Sequence, residues 1–133
     1  MALGKRERER QLEALVSASD LSQSPGHPIY TVMNRLAASV RRRIDWVHLP
    51  VPRARSDDAF YCPLQTLKLD PRTEIYLGLI HLTDGAAGTQ KRIEAASRHL
   101  RTFGIACECG MGRRPPDSIP AILDLLAECA RLP

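Results

Sequence analysis

Residues 74–80, which read EIYLGLI, decide the fold of this chain. Apolar side chains occupy both alternating sets of positions in this run, which is typical of a strand that is buried on both faces in a parallel sheet. Two shorter runs predict further strands, at residues 44–49 (IDWVHL), with Trp46 in the core, and at residues 103–107 (FGIAC). We therefore expect three strands in one sheet.

Segments with helical periodicity alternate with these strands. Residues 28–42 have apolar side chains at steps of three and four, and residues 89–100 are amphipathic in the same way. The long connection over residues 50–73 has room for one helical turn near residues 58–64. A last helix follows Asp117, which is a suitable N-cap residue. Its expected core positions are Ile119, Ile122, Leu123, Leu126 and Cys129. Alternating helices and strands predict an α/β fold with right-handed crossovers.

The length of the chain limits its architecture. Three strands with their helices fit either a doubly wound sheet or an arc of a (β/α)8 barrel. A closed barrel needs about 250 residues, whereas this chain has 133. We therefore expect a partial (β/α)8 TIM-barrel segment with about three parallel strands and flanking helices over residues 28–133. Residues 1–27 are expected to form a weak helix and a linker, because Ser, Gly and Pro are frequent in residues 19–28.

Composition and charge exclude several classes of protein. The chain is 44% hydrophobic, and its apolar runs are short, so it matches neither a disordered chain nor a membrane-spanning one. The net charge of +4 lies wholly in residues 1–72. The basic pieces, residues 5–10 (KRERER) and 41–43 (RRR), are much smaller than the basic face of a nucleic-acid-binding protein. The start of the chain lacks a secretory pattern, which predicts a cytoplasmic protein with thiols or metal ligands rather than disulfides.

Chemically active side chains follow the predicted strands. In chain order they are His48, His81, Asp84, Glu108 and Cys109. Because the carboxyl ends of parallel strands converge on one ligand crevice, we expect these groups to meet. Imidazole and thiolate are the usual protein ligands of zinc, and bound zinc keeps a thiol deprotonated near neutral pH. The sequence therefore indicates a metal or thiol site at this edge.

The same side chains also have structural interpretations. A histidine or cysteine at the end of a strand is often a packing residue, and this applies to His48, His81 and Cys107. Arg113 and Arg114 can bind a carboxylate or phosphate with forked guanidinium donors, or they can belong to a solvated loop.

Three stretches carry a resemblance to a known family: residues 44–64 (IDWVHLPVPRARSDDAFYCPL), 74–93 (EIYLGLIHLTDGAAGTQKRI) and 103–116 (FGIACECGMGRRPP). They resemble the carboxyl-terminal part of the cobalamin-independent methionine synthase-like family, within the broader group of uroporphyrinogen decarboxylase-type barrels. In the synthases, zinc binds homocysteine as a thiolate, and a folate methyl group is transferred to its sulfur. The resemblance implies that Cys109 is a zinc ligand, since one family ligand is a cysteine between an acidic residue and a glycine.

The resemblance also implies a substrate pocket and an incomplete site. The residues expected to bind the thiol substrate and the methyl donor are His48, His81, Asp84, Glu108, Arg113 and Arg114. The His-X-Cys pair that supplies two further zinc ligands in the family is absent from this sequence. His48-Leu49-Pro50 stands near the place where the synthases have a glutamate. A methyltransferase segment of this kind, whether a truncated gene product or a module completed by another chain, is expected to be inactive alone.

Two other hypotheses stay open. A partial sheet exposes strand edges and apolar surface, so the chain can instead be a non-enzymatic module that forms a homo-oligomer or complements a missing half. In the second hypothesis the chain has the fold of the methionine synthase-like family, but the substrate is a different thiol or a carboxylate that is decarboxylated.

Overall fold

The computed structural model describes residues 29–132. Its helices and strands are α1 (Ile29–Ser39), β1 (Trp46–Pro50), α2 (Asp58–Tyr61), β2 (Glu74–Ile80), α3 (Gly85–Ser97), β3 (Gly104–Cys107) and α4 (Ile119–Cys129). Short 3-10 turns occupy Cys62–Thr66, Met111–Arg113 and Pro116–Ser118. The helix and linker predicted over residues 1–27 lie outside the described residues. None of the helices within residues 29–132 has the length and hydropathy that a bilayer-spanning helix needs.

The three strands form one parallel sheet in the order β1-β2-β3. β2 pairs with both neighbours, and its last four residues are buried, which agrees with its apolar pattern. Three parallel strands with flanking helices confirm the predicted α/β class. The helix bounds differ from the prediction by up to four residues: α1 ends at Ser39, α3 begins at Gly85, and Ser118 rather than Asp117 is the N-cap residue of α4.

One face of the sheet packs against helices. Val47 and Leu49 of β1 and Leu77 and Leu79 of β2 point to this side, as strand alternation requires. They contact apolar side chains from α1, α2, the turn after α2, and α3, namely Tyr30, Phe60, Tyr61, Leu64, Ala95 and Ala96. This cluster is the main core.

A smaller core lies where α4 packs near the end of the sheet. It contains Ile80, Leu125 and Cys129. The prediction that Leu123 belongs to this core is wrong, because Leu123 is 52% exposed. Ile122 and Cys129 are buried as predicted, and Leu126 packs against this core. Leu125 is buried where Leu123 was expected, so the buried face is turned slightly from the predicted one.

The opposite face of the sheet is partly uncovered. Trp46 is 63% exposed, so the prediction that it lies in the core is wrong. The physical reason is alternation: Val47 and Leu49 take the covered side, which places Trp46 and His48 on the other. We call this surface the open face. It contains a hollow of about 350 Å³ lined by Trp46, His48, Glu74, Tyr76 and Ala106.

Candidate functional site

The carboxyl edge of the sheet brings a thiol and an imidazole together. The Sγ atom of Cys109 lies 3.7 Å from Nδ1 of His48. Cys109 follows β3 as predicted, whereas His48 is the third residue of β1 rather than its last. The two strands are separated by β2, so the contact reaches across the central strand. Sequence reasoning predicted the meeting of these two residues at one edge but not their direct contact.

Gly78 of β2 makes this contact sterically feasible. A Cβ atom at this position would lie 3.0 Å from Nε2 of His48, which is closer than ordinary van der Waals contact. The absent side chain therefore leaves room for the imidazole of His48 over the middle of β2. A glycine inside an apolar strand is a known sign of close approach by another group, and this is the signal that could have predicted the contact.

The loop after β3 presents Cys109 to solvent. Cys109 is exposed, and the next residue, Gly110, has a φ of +103°, a backbone conformation that is costly for residues with a Cβ atom. The turn at Gly110 also lets the guanidinium of Arg113 lie close to the backbone at that position. Arg113 is exposed and has no ion-pair partner among the described residues. A side chain of this kind is available to bind an anionic group.

His81 holds two loops of this edge together. It is 6% exposed, its Nε2 atom lies 2.9 Å from the carbonyl oxygen of Val51, and its Nδ1 atom lies 3.3 Å from Oε2 of Glu108. Since a carbonyl oxygen only accepts, Nε2 carries the proton. Burial lowers the pKa of His81 below its usual 6.5, which favours the neutral ring. The Nε2–H group thus binds the loop after β1, and Nδ1 contacts Glu108 of the loop after β3, where an ion pair forms when the ring is protonated.

Glu108 is held from two sides. Besides His81, its carboxylate forms an ion pair with the guanidinium of Arg114. Its backbone N–H donates to the carbonyl oxygen of Ile80 at 3.2 Å. Glu108 and Arg114 therefore fix the start of the loop that carries Cys109.

Asp84 is bound by a residue that sequence reasoning missed. Its two carboxylate oxygens accept hydrogen bonds of 2.7 and 2.9 Å from Arg92 of α3. Arg92 is 2% exposed, and it also donates to the carbonyl oxygens of Leu79 and Arg53. The hydrogen bonds from Arg92 are the main reason that the pKa of Asp84 lies below its usual value. Asp84 thus positions this edge of the sheet through Arg92.

The donor atoms that remain for a metal ion are those of Cys109 and His48. Within residues 29–132, no three or more His, Cys, Asp or Glu side chains are grouped so as to hold a metal ion. A thiol and an imidazole are nevertheless the ligand types that zinc prefers, and the chemistry of this donor pair fits part of a zinc site. No protein-family model, curated protein or solved structure matches the chain.

Proposed function

We propose that this chain is a segment of a methionine synthase-like (β/α)8 barrel whose intact form transfers a methyl group to a thiol such as homocysteine. Cys109 is the zinc ligand in this proposal. The observation that carries it is the position of Cys109 at the carboxyl edge of three parallel strands, with its Sγ atom 3.7 Å from an imidazole nitrogen. Zinc supplies a thiol-activating charge when it is bound, because it lowers the pKa of a ligated thiol.

The other residues of the edge have distinct roles in this proposal. Arg113, which is exposed beside Cys109, binds the carboxylate of the substrate, because a forked guanidinium matches that group. Glu108 and Arg114 hold the Cys109 loop, and His81 joins it to the loop after β1. Asp84 acts through Arg92 and keeps the start of α3 against the end of β2.

The isolated chain is expected to show little or no methyl transfer. A catalytic zinc ion normally has three protein ligands and one position for substrate. The donor pair described above supplies at most two. The remaining ligand and the methyl-donor site would come from a complementing barrel segment.

Zinc analysis of cysteine variants tests the proposal. The chain is purified, stripped with a chelator, reloaded with zinc, and measured by atomic absorption. We expect the wild type and a Cys62→Ser variant to retain zinc to the same extent, since Cys62 is another exposed thiol and lies in the turn after α2. We expect Cys109→Ser to lose it. Equal zinc contents in Cys109→Ser and the wild type would disprove the ligand assignment.

A second candidate function is supported by the open face. Parallel sheets in proteins normally have both faces covered, yet Trp46 is 63% exposed here. A non-enzymatic module that self-associates would cover this face with a second copy of the chain. Sedimentation over a range of concentrations separates the two functions, because a monomer at every concentration removes the reason for a self-associating module and leaves the zinc assignment unaffected.

A further inference from the structure

We infer that His48 binds the same metal ion as Cys109, through its Nδ1 atom. This inference rests on the proposed function, in which Cys109 is a metal ligand. The chain would then supply two ligands from two strands that flank β2. The sequence groups His48 with the other chemically active side chains of this edge, and its assignment as a ligand beside Cys109 depends on the contact that the fold creates.

The first argument is distance. In tetrahedral zinc sites a cysteine sulfur lies about 2.3 Å and a histidine nitrogen about 2.1 Å from the metal, so the two ligand atoms are about 3.6 Å apart. The Sγ atom of Cys109 and the Nδ1 atom of His48 are 3.7 Å apart. A metal ion between them therefore requires almost no movement of either side chain.

The second argument is that neighbouring donors already have partners. Both nitrogens of His81 contact protein atoms, on Val51 and Glu108. Glu108 contacts His81 and Arg114, and Asp84 is bound by Arg92. Among the histidines, aspartates and glutamates of this edge, His48 is the one whose ring nitrogen faces the Cys109 thiol.

The third argument is the orientation of the imidazole. Its Nε2 atom is buried without a hydrogen-bond partner among the described residues, and it faces Gly78. The Nδ1 atom is on the side of the exposed Cys109. The packing over Gly78 thus presents Nδ1 for coordination.

The donor pair also selects the class of metal. Thiolate and imidazole favour zinc, and they bind cobalt(II) in the same geometry, whereas magnesium and calcium require oxygen ligands. The ion that we infer at this site is therefore zinc. Its further positions remain for a substrate thiolate and for a ligand from another segment.

Cobalt(II) titration of the purified chain tests this inference without any activity assay. Cobalt bound to a thiolate gives a sulfur-to-metal charge-transfer band, and tetrahedral coordination gives intense visible bands. We expect both in the wild type and in His99→Gln, a control in which the replaced histidine contacts Asp58 instead. We expect His48→Gln to retain the charge-transfer band but to bind cobalt at least about tenfold more weakly, and Cys109→Ser to lose that band.

A second variant covers the case in which His48→Gln does not fold, as judged by circular dichroism. Gly78→Ala keeps both ligands but places a methyl group against the imidazole, and it should also weaken cobalt binding. If His48→Gln folds and binds cobalt as tightly as the wild type, His48 is not a ligand. If only Gly78→Ala folds, an unchanged cobalt affinity of that variant overturns the role of His48 in the same way. In either case, loss of the charge-transfer band in Cys109→Ser would continue to support Cys109 as the ligand, so the proposed function would stand without His48. A wild-type chain without the band at millimolar cobalt would overturn both.

Discussion

Arg92 donates hydrogen bonds to both carboxylate oxygens of Asp84, at 2.7 and 2.9 Å, from a guanidinium that is almost wholly buried. The same guanidinium donates to the carbonyl oxygens of Leu79 and Arg53. One side chain thereby joins the end of β2, the loop after β1 and the residue that precedes α3. A buried charge of this kind is stable only while its partner stays ionised.

Replacing Asp84 with Asn should destabilise the fold strongly. The substitution leaves the positive charge of Arg92 buried with only neutral acceptors, and removal of one partner from a buried ion pair costs about 3 kcal/mol. Urea denaturation followed by circular dichroism measures this change. The matched control is Asp58→Asn, which removes an exposed carboxylate paired with Arg98 and should barely change the midpoint. Equal midpoints for the two variants would contradict the structural role of Asp84.

The pH dependence of stability should differ between the wild type and Asp84→Asn. Arg92 holds the pKa of Asp84 below its ordinary 3.8. The ion pair therefore contributes its full stability above about pH 4 and loses it as the pH falls through the lower pKa of the folded state. The stability difference between the two proteins should shrink toward acid pH when measured by urea denaturation. A difference that stays constant down to pH 2 would show that ionisation of Asp84 is irrelevant.

Gly104→Ala should destabilise the sheet by displacing Tyr76. A Cβ atom at position 104 would overlap the aromatic ring of Tyr76, which lies across the neighbouring strand. Overpacking of this kind costs about 1–3 kcal/mol. In a Tyr76→Ala background the same substitution should cost much less, because the overlapping ring is gone. Thermal unfolding of the four proteins forms a double-mutant cycle, and additive effects would disprove the proposed clash.

The fluorescence of Trp46 should report whether the open face is covered. Trp46 is the single tryptophan of the chain and is largely exposed, so the diluted protein should show the emission of a hydrated indole. If a second copy covers the face, the emission should shift to shorter wavelength as the concentration rises. Trp46→Ser should weaken that association in sedimentation experiments. Emission from a hydrated indole at every concentration would argue against self-association through this face.

The apolar pattern of the chain predicted the sheet, because a strand that is buried on both faces has apolar side chains at nearly every position. Leu77, Leu79 and Ile80 of β2 are fully buried, as the pattern required. Trp46 could not be placed in the same way, because β1 buries only one of its faces and the choice of face depends on which side the helices cover. Strand pattern alone favours the large aromatic residue for the core, but Val47 and Leu49 occupy it.

The candidate site was predictable at the level of the edge but not of individual contacts. Parallel strands bring Cys109 and His48 to one side, and this follows from sequence. The contact between them depends on Gly78. The need for a glycine at this position becomes clear only from the structure, where the imidazole of His48 lies above it. Arg92 was missed for a related reason: helical periodicity assigns an arginine to the solvated face, and its burial depends on a carboxylate at position 84.

The position of Gly78 beneath His48 has a consequence for mutational tolerance. Residues on a sheet surface that no helix covers usually accept replacement, whereas residues of the packed core do not. Along this surface the rule should be reversed at one point: Glu74 and Trp46 should accept many substitutions, whereas every substitution at position 78 that adds volume should lower metal retention. A saturation library scored for folding and metal retention would then separate the requirement for a small residue from the ordinary demands of packing.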